Sequence, residues 1–227
     1  PAGIIAGVTA KKQNPDKSIL MIGEEDKGLV PCGIPYVFHR LDDVSKNAMG
    51  PKPFLDAGGE VVIDKAVDID LDSKKVKVTS GTEFGFERLV FATGSEPVVP
   101  KFINGYDLKG VFYVKKSYQY IEQLKEKANE AKNIVIIGGG FIGAEVAEQM
   151  HLEGKANVSL IELEDQCFSK AFSKELATIA TDKLRDTGLN VMTSTKVDHL
   201  EGKNGAVESV VTSGGEKIPA DMVIMSR

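Results

Sequence analysis

The sequence of 227 residues predicts an α/β fold built from two similar units. Short apolar strands alternate with helical segments, which is the pattern of βαβ units around a parallel sheet. A glycine-rich turn with the sequence GGGFIG lies between a predicted strand and a predicted helix. The order of helix, acid-ended strand, small β-meander and final apolar strand occurs twice along the chain. We therefore expect two Rossmann-like nucleotide-binding domains, each with a small antiparallel β-meander.

The first unit begins with a helix. Residues 2–13 have an apolar face and end before Asn14-Pro15, a dipeptide that disfavours continuation of a helix. Residues 42–57 show no clear pattern. Strands are predicted over 18–22, 60–63, 67–71, 75–79 and 89–92. No strand precedes the helix in this sequence, so we expect that the opening strand of the unit is missing and that the chain is a fragment of a longer one.

A segment rich in proline and glycine, residues 95–112, is predicted to link the two units. The second unit repeats the order of elements with more regular patterns. Helices are predicted over 117–129, 142–151 and 173–187, and strands over 134–137, 158–161, 190–193, 197–200, 207–212, 216–219 and 221–225. We place the domain boundary near the end of the linker, which gives domains 1–111 and 112–227.

Composition and charge exclude several classes of partner. The formal net charge is -5 and the basic residues form no block, so we expect neither nucleic acid nor a membrane surface as a partner. No apolar run approaches the roughly 20 residues that a membrane span needs. Cys32 and Cys167 lie far apart and form no CxxC pair, so we expect no disulfide framework and no metal site. A cytoplasmic location agrees with this cysteine usage.

The strongest functional signal is the run Gly138-Gly139-Gly140-Phe141-Ile142-Gly143, which fits G-x-G-x-x-G. Gly138 permits a tight turn, Gly140 lets the backbone approach a pyrophosphate, and Gly143 lets the helix pack close to the strand. The pyrophosphate then meets the free N–H groups of the helix start. Glu162, about 20 residues further on, can bind a ribose diol and would repel a 2′-phosphate, which favours NADH over NADPH. The alternative is a glycine turn in a unit that binds no nucleotide.

The start of the chain shows a partial copy of this pattern. Pro1-Ala2-Gly3 suits the last three positions of another G-x-G-x-x-G motif, just before a helix. Glu24 follows a strand and suits the ribose acid. On these residues alone, an ordinary helix start and an exposed loop acid explain the pattern equally well.

Cys32 lies in the segment LVPCGIPYV, just before a predicted short helix in which Pro35 suits the first turn. Free N–H groups at a helix start stabilise a thiolate, which is the reactive form of cysteine. A small buried residue is the alternative explanation for a lone cysteine. Cys167 has no such context, and we expect it to be structural.

These residues together resemble the flavin-dependent pyridine nucleotide-disulfide oxidoreductases. The resemblance covers nearly the whole chain and points to the single-cysteine branch, which holds NADH oxidases, NADH peroxidases, coenzyme A disulfide reductases and sulfur or persulfide reductases. PCGIPYV resembles the segment of the redox cysteine, which implies Cys32 as the catalytic residue. GGGFIGAE resembles the NADH motif and implies binding roles for residues 138–143 and Glu145, with Phe141 as the aromatic residue that gates the flavin.

The resemblance also assigns the two domains. It implies that domain 1–111 binds FAD and that domain 112–227 binds NAD(P)H. The segment LVFATG resembles the strand that supports FAD, and Ala66-Val67 stands where the family's backbone meets the adenine. The FAD-binding residues that the resemblance implies are Pro1, Ala2, Gly3, Glu24, Ala66, Val67, Ala92, Thr93 and Gly94.

Two positions depart from the family pattern. Val37 stands where disulfide reductases have their second redox cysteine, so a dithiol mechanism within this segment is excluded. Pro1 stands where the oxidases and peroxidases have a histidine beside the cysteine, which weakens both of these interpretations.

The implied activity is that of an FAD-dependent NAD(P)H oxidoreductase. Electrons pass from NAD(P)H through FAD and Cys32 to a disulfide, a polysulfide or oxygen, and coenzyme A disulfide or sulfur is the favoured acceptor. Lys11 and Lys12 give slight support to coenzyme A as a further ligand. The family also implies a homodimer through a domain absent from this chain. Two alternatives remain open: a flavin reductase that feeds an electron-carrier protein, and a nucleotide-binding redox sensor without turnover.

Overall fold

The computed structural model describes residues 1–226. Contacts between residues divide the chain into two compact units. The first unit comprises Pro1–Pro31 and Asn47–Ser95, and the second comprises Cys32–Lys46 and the described residues from Glu96 onward. The segment Cys32–Lys46 therefore belongs to the second unit although residues of the first unit flank it on both sides. Both units combine helices with parallel or antiparallel strands, which confirms the α/β class.

The first unit is built on a parallel strand pair and an antiparallel meander. Its elements are α1 (Ala2–Gln13), β1 (Leu20–Gly23), β2 (Gly28–Leu29), β3 (Ala48–Met49), α2 (Lys52–Asp56), β4 (Glu60–Ile63), β5 (Ala66–Asp70), β6 (Lys75–Val78) and β7 (Glu83–Gly85). β1 pairs with β4 in parallel, as in a βαβ unit. β5, β6 and β7 form the expected meander, in which β7 was not predicted, and β2 pairs with β3.

Phe54 of α2 is a fully buried residue of this unit. A Cβ atom on Gly7 of α1 would lie 2.8 Å from the Phe54 ring. A Cβ atom on Gly59, just before β4, would collide with the same ring. Glycine at both positions therefore lets α1 and the start of β4 pack against one aromatic ring.

The second unit is organised around one parallel sheet. Its elements are β8 (Val111–Tyr113), α3 (Tyr118–Glu130), β9 (Asn133–Ile137), α4 (Phe141–Glu153), β10 (Asn157–Ile161), α5 (Lys174–Asp186), β11 (Asn190–Met192), β12 (Val197–Lys203), β13 (Ala206–Thr212), β14 (Lys217–Pro219) and β15 (Met222–Met225). The sheet order is β11-β10-β9-β15-β8, with all pairs parallel. β12, β13 and β14 form the antiparallel meander. The predicted order from α3 to β15 is confirmed, with small shifts at the ends of the elements, whereas β8, at the end of the predicted linker, was not predicted.

The strands of the parallel sheet are deeply buried. β9 has the sequence NIVII, and Ile134, Val135 and Ile136 are almost completely buried. Such continuous apolar runs are typical of parallel strands that are covered on both faces. Val135 packs in a core with Leu200 of β12 and Val210 of β13, so the meander covers one face of the sheet.

The predicted linker is packed within the second unit. Ile103 is buried. The N–H of Leu200 donates to the carbonyl of Asn104 at 2.8 Å, and the N–H of Val207 donates to the carbonyl of Lys109 at 2.9 Å. These bonds attach the segment to β12 and β13. The domain boundary at residue 111 stays a prediction, because compactness does not show which residues bind a nucleotide.

The predicted strand over 89–92 is wrong, since residues 89–100 form neither strand nor helix. In the second unit the final strand β15 pairs with β9, the strand that enters the glycine turn. The described residues of the first unit contain no strand before α1, so residues 89–92 lack such a neighbour for their backbone N–H and C=O groups. Val90 and Phe91 accordingly remain exposed.

Candidate functional site

The second glycine motif forms the turn between β9 and α4. Gly138 has a φ of 111°, which L side chains rarely adopt. A Cβ atom on Gly143 would collide with the carbonyl group of Gly138, so glycine is required for α4 to pack against the turn. A Cβ atom on Gly140 would meet no atom of the described residues within 4 Å. The turn therefore leaves open space beside the first N–H groups of α4, where a pyrophosphate can bind.

Glu162 follows β10 and is bonded directly to the glycine turn. Its Oε2 atom accepts a hydrogen bond from the N–H of Gly139 at 2.5 Å, and its Oε1 atom accepts one from the N–H of Glu164 at 2.8 Å. A carboxylate has about four acceptor positions, so each oxygen can still accept a ribose hydroxyl. The acid thus holds the turn in place before any nucleotide binds, a role that its spacing in the sequence did not predict.

Cys167 lies beneath the same turn. Its side chain is fully buried, and its N–H donates to Oγ1 of Thr181 at 3.0 Å. A Cβ atom on Gly139 would lie 2.7 Å from the Cys167 sulfur. Burial, with the negative charge of Glu162 as a smaller cause, raises the pKa of the Cys167 thiol to about 11. The thiol therefore stays protonated, which supports the expected structural role.

Phe141, the first residue of α4, packs in a cluster of three aromatic rings. Its ring centroid lies 5.5 Å from that of Phe168 and 5.6 Å from that of Phe172. The N–H of Phe168 donates to the carbonyl of Gly139 at 2.9 Å, and the φ of Phe168 is 60°, which is unusual for a bulky residue. Phe168 and Phe172 were not predicted, although two phenylalanines close together in the loop after Glu162 were a visible signal. The gating role of Phe141 stays a prediction.

The two remaining residues of the predicted NADH motif, Ile142 and Glu145, lie on the exposed side of α4. Partial desolvation of the carboxyl group, with repulsion from Glu148 as the smaller cause, raises the pKa of Glu145. The part of both residues in nucleotide binding stays a prediction.

The structure brings together part of the predicted FAD site within the first unit. Pro1-Ala2-Gly3 begins α1, and the carbonyl of Pro1 accepts a hydrogen bond from the N–H of Ile5 at 3.1 Å. A Cβ atom on Gly3 would lie 3.4 Å from the Cβ atom of Ala92 and 3.8 Å from the sulfur of Met21. Gly3 therefore allows the start of α1 to approach both β1 and the segment that contains Ala92.

Lys65 connects two other predicted parts of the FAD site. Its Nζ atom lies 3.4 Å from Oε1 of Glu24, which follows β1, and Lys65 directly precedes Ala66-Val67 at the start of β5. Both charged side chains are largely exposed, so this pair contributes little to stability. Thr93 and Gly94 lie in exposed, irregular chain. The FAD-binding roles of all these residues stay predictions.

Cys32 is exposed and lies in a single 3-10 turn, Pro31–Gly33. The short helix predicted after it is a second 3-10 turn, Pro35–Phe38, which begins at Pro35 as expected. Cys32 therefore precedes a 3-10 turn and not an α-helix, and the stabilisation of its thiolate stays a prediction. The catalytic role of Cys32 stays a prediction.

Residues 1–226 contain no group of three or more His, Cys, Asp or Glu side chains that could hold a metal ion. No helix in this range has both the length and the apolar sequence needed to cross a membrane.

The fold and the geometry of the glycine turn define a class of protein. A parallel sheet carries this turn at the end of β9 and an acid at the end of the adjacent strand β10, which is the arrangement of Rossmann-like dinucleotide-binding proteins. The family model described as pyridine nucleotide-disulphide oxidoreductase matches residues 1–227, and the chain belongs to this family.

Two relatives and one solved structure match most of the chain. It is 34% identical over 232 residues to the NAD(P)H sulfur oxidoreductase (CoA-dependent) of Pyrococcus furiosus, a match that covers 99% of this chain and 51% of that protein. It is 31% identical over 159 residues to the rubredoxin-NAD(+) reductase of Pseudomonas putida, covering 70% of this chain and 40% of that protein. The solved structure of a NAD-dependent persulfide reductase from A. fulgidus has a TM-score of 0.84 at 28% identity, covering 99% of this chain and 42% of that chain. The chain spans about half the length of these proteins, or less.

Proposed function

We propose that the whole protein is a flavoprotein oxidoreductase that transfers electrons from NADH through FAD and Cys32 to a sulfur acceptor. The observation that carries the proposal is the preformed glycine turn closed by Glu162, in a chain 34% identical to a CoA-dependent NAD(P)H sulfur oxidoreductase. Coenzyme A disulfide or a polysulfide is the favoured acceptor, and oxygen is a further one.

The second unit supplies the groups that would bind NADH. The N–H groups at the start of α4 receive the pyrophosphate, and the carboxylate of Glu162 accepts the ribose hydroxyls. A 2′-phosphate would bring negative charge against Glu162 and its neighbour Glu164. Asp165 already pairs with Lys174 at 2.8 Å, so that lysine is not free to compensate. These contacts favour NADH over NADPH.

The residues of the first unit fit the FAD half of the proposal. The close approach of Gly3 to Ala92 leaves the start of α1 beside the irregular segment LVFATG, and Glu24 stands after β1. When bound, FAD supplies the redox chemistry that connects a hydride donor with a sulfur centre. We therefore propose residues 1–111 as the FAD-binding domain and residues 112–227 as the NAD(P)H-binding domain.

Cys32 would carry out the sulfur chemistry. Its thiolate attacks one sulfur of a disulfide, forms a mixed disulfide and releases the other half as a thiolate. Two electrons and one proton then convert the mixed disulfide into the Cys32 thiolate and a free thiol. Exposure of Cys32 admits a bulky disulfide, whereas Cys167 is buried and protonated.

The two lysines that could meet coenzyme A differ in their surroundings. The Nζ atom of Lys11 donates to the carbonyls of Pro15 and Lys17 at 2.9 and 2.8 Å, so its ammonium closes the loop after α1. Lys12 is exposed. Lys12 is therefore the better candidate for a contact with a coenzyme A phosphate.

Replacement of Cys32 by serine in the whole protein tests the proposal. Cys32→Ser keeps the size of the side chain and removes its redox chemistry. NADH should still bleach the flavin, while turnover with coenzyme A disulfide or polysulfide should fall by about 100-fold or more. Cys167→Ala is the control, and it should keep most of the turnover. Full turnover of Cys32→Ser with the sulfur acceptor would contradict the proposal.

A second candidate function is that of a flavin reductase that feeds an electron-carrier protein. The 31% identity to a rubredoxin-NAD(+) reductase favours it. This activity needs no cysteine, so Cys32→Ser would keep turnover with a rubredoxin-type acceptor. A redox sensor, the remaining alternative, would bind NADH but consume none of it in a sustained way with any acceptor.

We also propose that the whole protein is a cytoplasmic homodimer that forms through a domain absent from this chain. Membership of the family supports this proposal. Light scattering on the whole protein tests the dimer, and a monomer at micromolar concentration would contradict it.

A further inference from the structure

The segment Cys32–Lys46 has little regular structure of its own. Its residues take part only in the short 3-10 turns at Pro31–Gly33, Pro35–Phe38 and Val44–Asn47. Such turns are marginal in isolation. The position of the thiol therefore depends on contacts between this segment and the rest of the second unit.

One side of the segment is apolar and packs against α4. Ile34, Val37 and Phe38 are 2%, 0% and 5% exposed. The turn that contains Val37 and Phe38 contacts α4 and, less extensively, α3. This burial attaches the middle of the segment to the helix that begins at the glycine turn.

Lys125 of α3 holds the far end of the segment. Its Nζ atom donates to the carbonyl of Leu41 at 3.0 Å and to the carbonyl of Asp42 at 2.8 Å. Desolvation lowers the pKa of Lys125, and the nearby carboxylates of Asp43 and Glu153 oppose this shift. A partly desolvated ammonium that donates to two carbonyls contributes more to stability than an ion pair at the surface does.

Backbone hydrogen bonds connect this lysine contact with the thiol. The N–H of Leu41 donates to the carbonyl of Tyr36 at 2.8 Å, and the N–H of Val37 donates to the carbonyl of Ile34 at 3.2 Å. Ile34 is separated from the redox cysteine by a single glycine. The bonds form a short path from the ammonium of α3 to the turn that carries the thiol.

A second polar contact supports the first. Nδ1 of His39 lies 3.1 Å from Oε2 of Glu153, at the end of α4, and Glu153 also pairs with Nζ of Lys155 at 2.6 Å. These side chains are more exposed to water and Glu153 is shared between two partners. Lys125 is therefore the principal polar attachment of the segment.

We propose that Lys125 is a positioning residue for Cys32. By binding the carbonyls of Leu41 and Asp42, it holds the segment in one conformation and so fixes the direction in which the thiol meets its acceptor. This inference rests on the proposed redox role of Cys32. Lys125 itself touches none of the reacting atoms.

Three variants of the whole, FAD-loaded protein test the proposal. Lys125→Met keeps the aliphatic stem and removes the donor, whereas Lys125→Arg keeps donors. Lys127→Met is the matched control, because Lys127 lies on the same helix, is exposed and pairs with exposed Glu130 at 2.7 Å. The readouts are the alkylation rate of Cys32 by iodoacetamide as a function of pH, the rate of flavin reduction by NADH, and turnover with coenzyme A disulfide. Of the two cysteines in this chain, Cys167 is buried and has a raised pKa, so alkylation is followed at Cys32 by mass spectrometry of its peptide.

In Lys125→Met we expect Cys32 to be alkylated several-fold faster at each pH. Its kcat with the disulfide should fall by about tenfold, while KM for NADH and the flavin reduction rate stay unchanged. Lys125→Arg should restore the alkylation profile and the turnover. If Lys125→Met does not fold, Lys125→Ala, which also lacks a donor, takes its place under the same criteria.

Identical alkylation profiles for Lys125→Met and Lys127→Met, or no recovery in Lys125→Arg, would overturn the positioning role. Failure of the proposed function can be distinguished from failure of the positioning role, because in the former case Cys32→Ser keeps full turnover with the sulfur acceptor. The alkylation profile does not depend on turnover and reports the attachment of the segment in either case.

Discussion

Replacement of Glu162 by alanine should weaken the binding of both NADH and NADPH, because this acid holds the glycine turn as well as the ribose. A residue that acted only as a ribose acceptor would behave differently, since its removal would weaken the binding of NADH and strengthen the binding of NADPH. The bond between Oε2 of Glu162 and the N–H of Gly139 is the reason for the difference. Glu162→Gln separates the two roles, because the amide keeps one carbonyl oxygen for Gly139 and loses the negative charge.

The size of the effect follows from the bonds that are lost. In Glu162→Ala the buried N–H of Gly139 has no acceptor, which costs about 1–3 kcal/mol. Each ribose hydroxyl bond to the carboxylate contributes about 1.5–3 kcal/mol. In the free variant the turn can relax, which lowers the free-energy cost of the unsatisfied N–H of Gly139. NADH binding then has to order the turn again, so this cost weakens the affinity. We therefore expect the Kd for NADH to rise by about 10- to 100-fold in Glu162→Ala.

Isothermal titration calorimetry of the whole protein with NADH and with NADPH measures both affinities. Glu162→Gln should lose about tenfold in NADH affinity and bind NADPH better than the wild type does. Glu162→Ala should bind NADPH more weakly than Glu162→Gln. The reasoning is refuted if Glu162→Ala binds NADH within about threefold of the wild type, a difference of less than 1 kcal/mol, or if it gains as much NADPH affinity as Glu162→Gln.

Other substitutions probe the same turn. Gly140→Ala should leave the melting temperature nearly unchanged but abolish NADH binding, because the added Cβ points into the space for the pyrophosphate; retained NADH affinity would contradict this site. Gly143→Ala should lower the melting temperature by several degrees, because its Cβ collides with Gly138; scanning fluorimetry measures both. The Cys167 thiol, with a pKa of about 11 against an ordinary 9.0, keeps its proton in the folded state. The free energy of unfolding should therefore fall as the pH rises from 9 toward 11, and urea titrations should show a smaller fall in Cys167→Ala.

The glycine turn and its flanking elements could be predicted because their signals are local. The run NIVII identifies a buried strand, and the glycines that follow within a few residues fix the turn and the helix start. The same holds for the meander of the second unit, whose strands are neighbours in the sequence, whereas in the first unit β5 and β6 were predicted and β7 was not. In these parts, residues close in the chain decide the structure.

The remaining features depend on residues far apart in the sequence, and no periodicity reveals them. The apolar run Leu89–Ala92 has the composition of a strand, yet it forms none because pairing needs a partner strand. The bonds from Gly139 to Glu162 and from Lys125 to Leu41 join elements that only the fold brings together. The motif around Cys32 was recognisable, whereas the 3-10 turn that surrounds it depends on packing against α4.

The interleaving of the two units along the chain matters for anyone who wishes to divide or recombine this protein. A piece that ends at Ser95 would contain residues 32–46 without α3 and α4, and Val37 and Phe38 would lose their cover. A piece that starts at Glu96 would lack residues 32–46, so the surfaces of α3 and α4 that this segment covers would be exposed to water. Chimeras with relatives should therefore transfer residues 32–46 together with α3 and α4, and a cut at one point of the linker gives two incomplete modules.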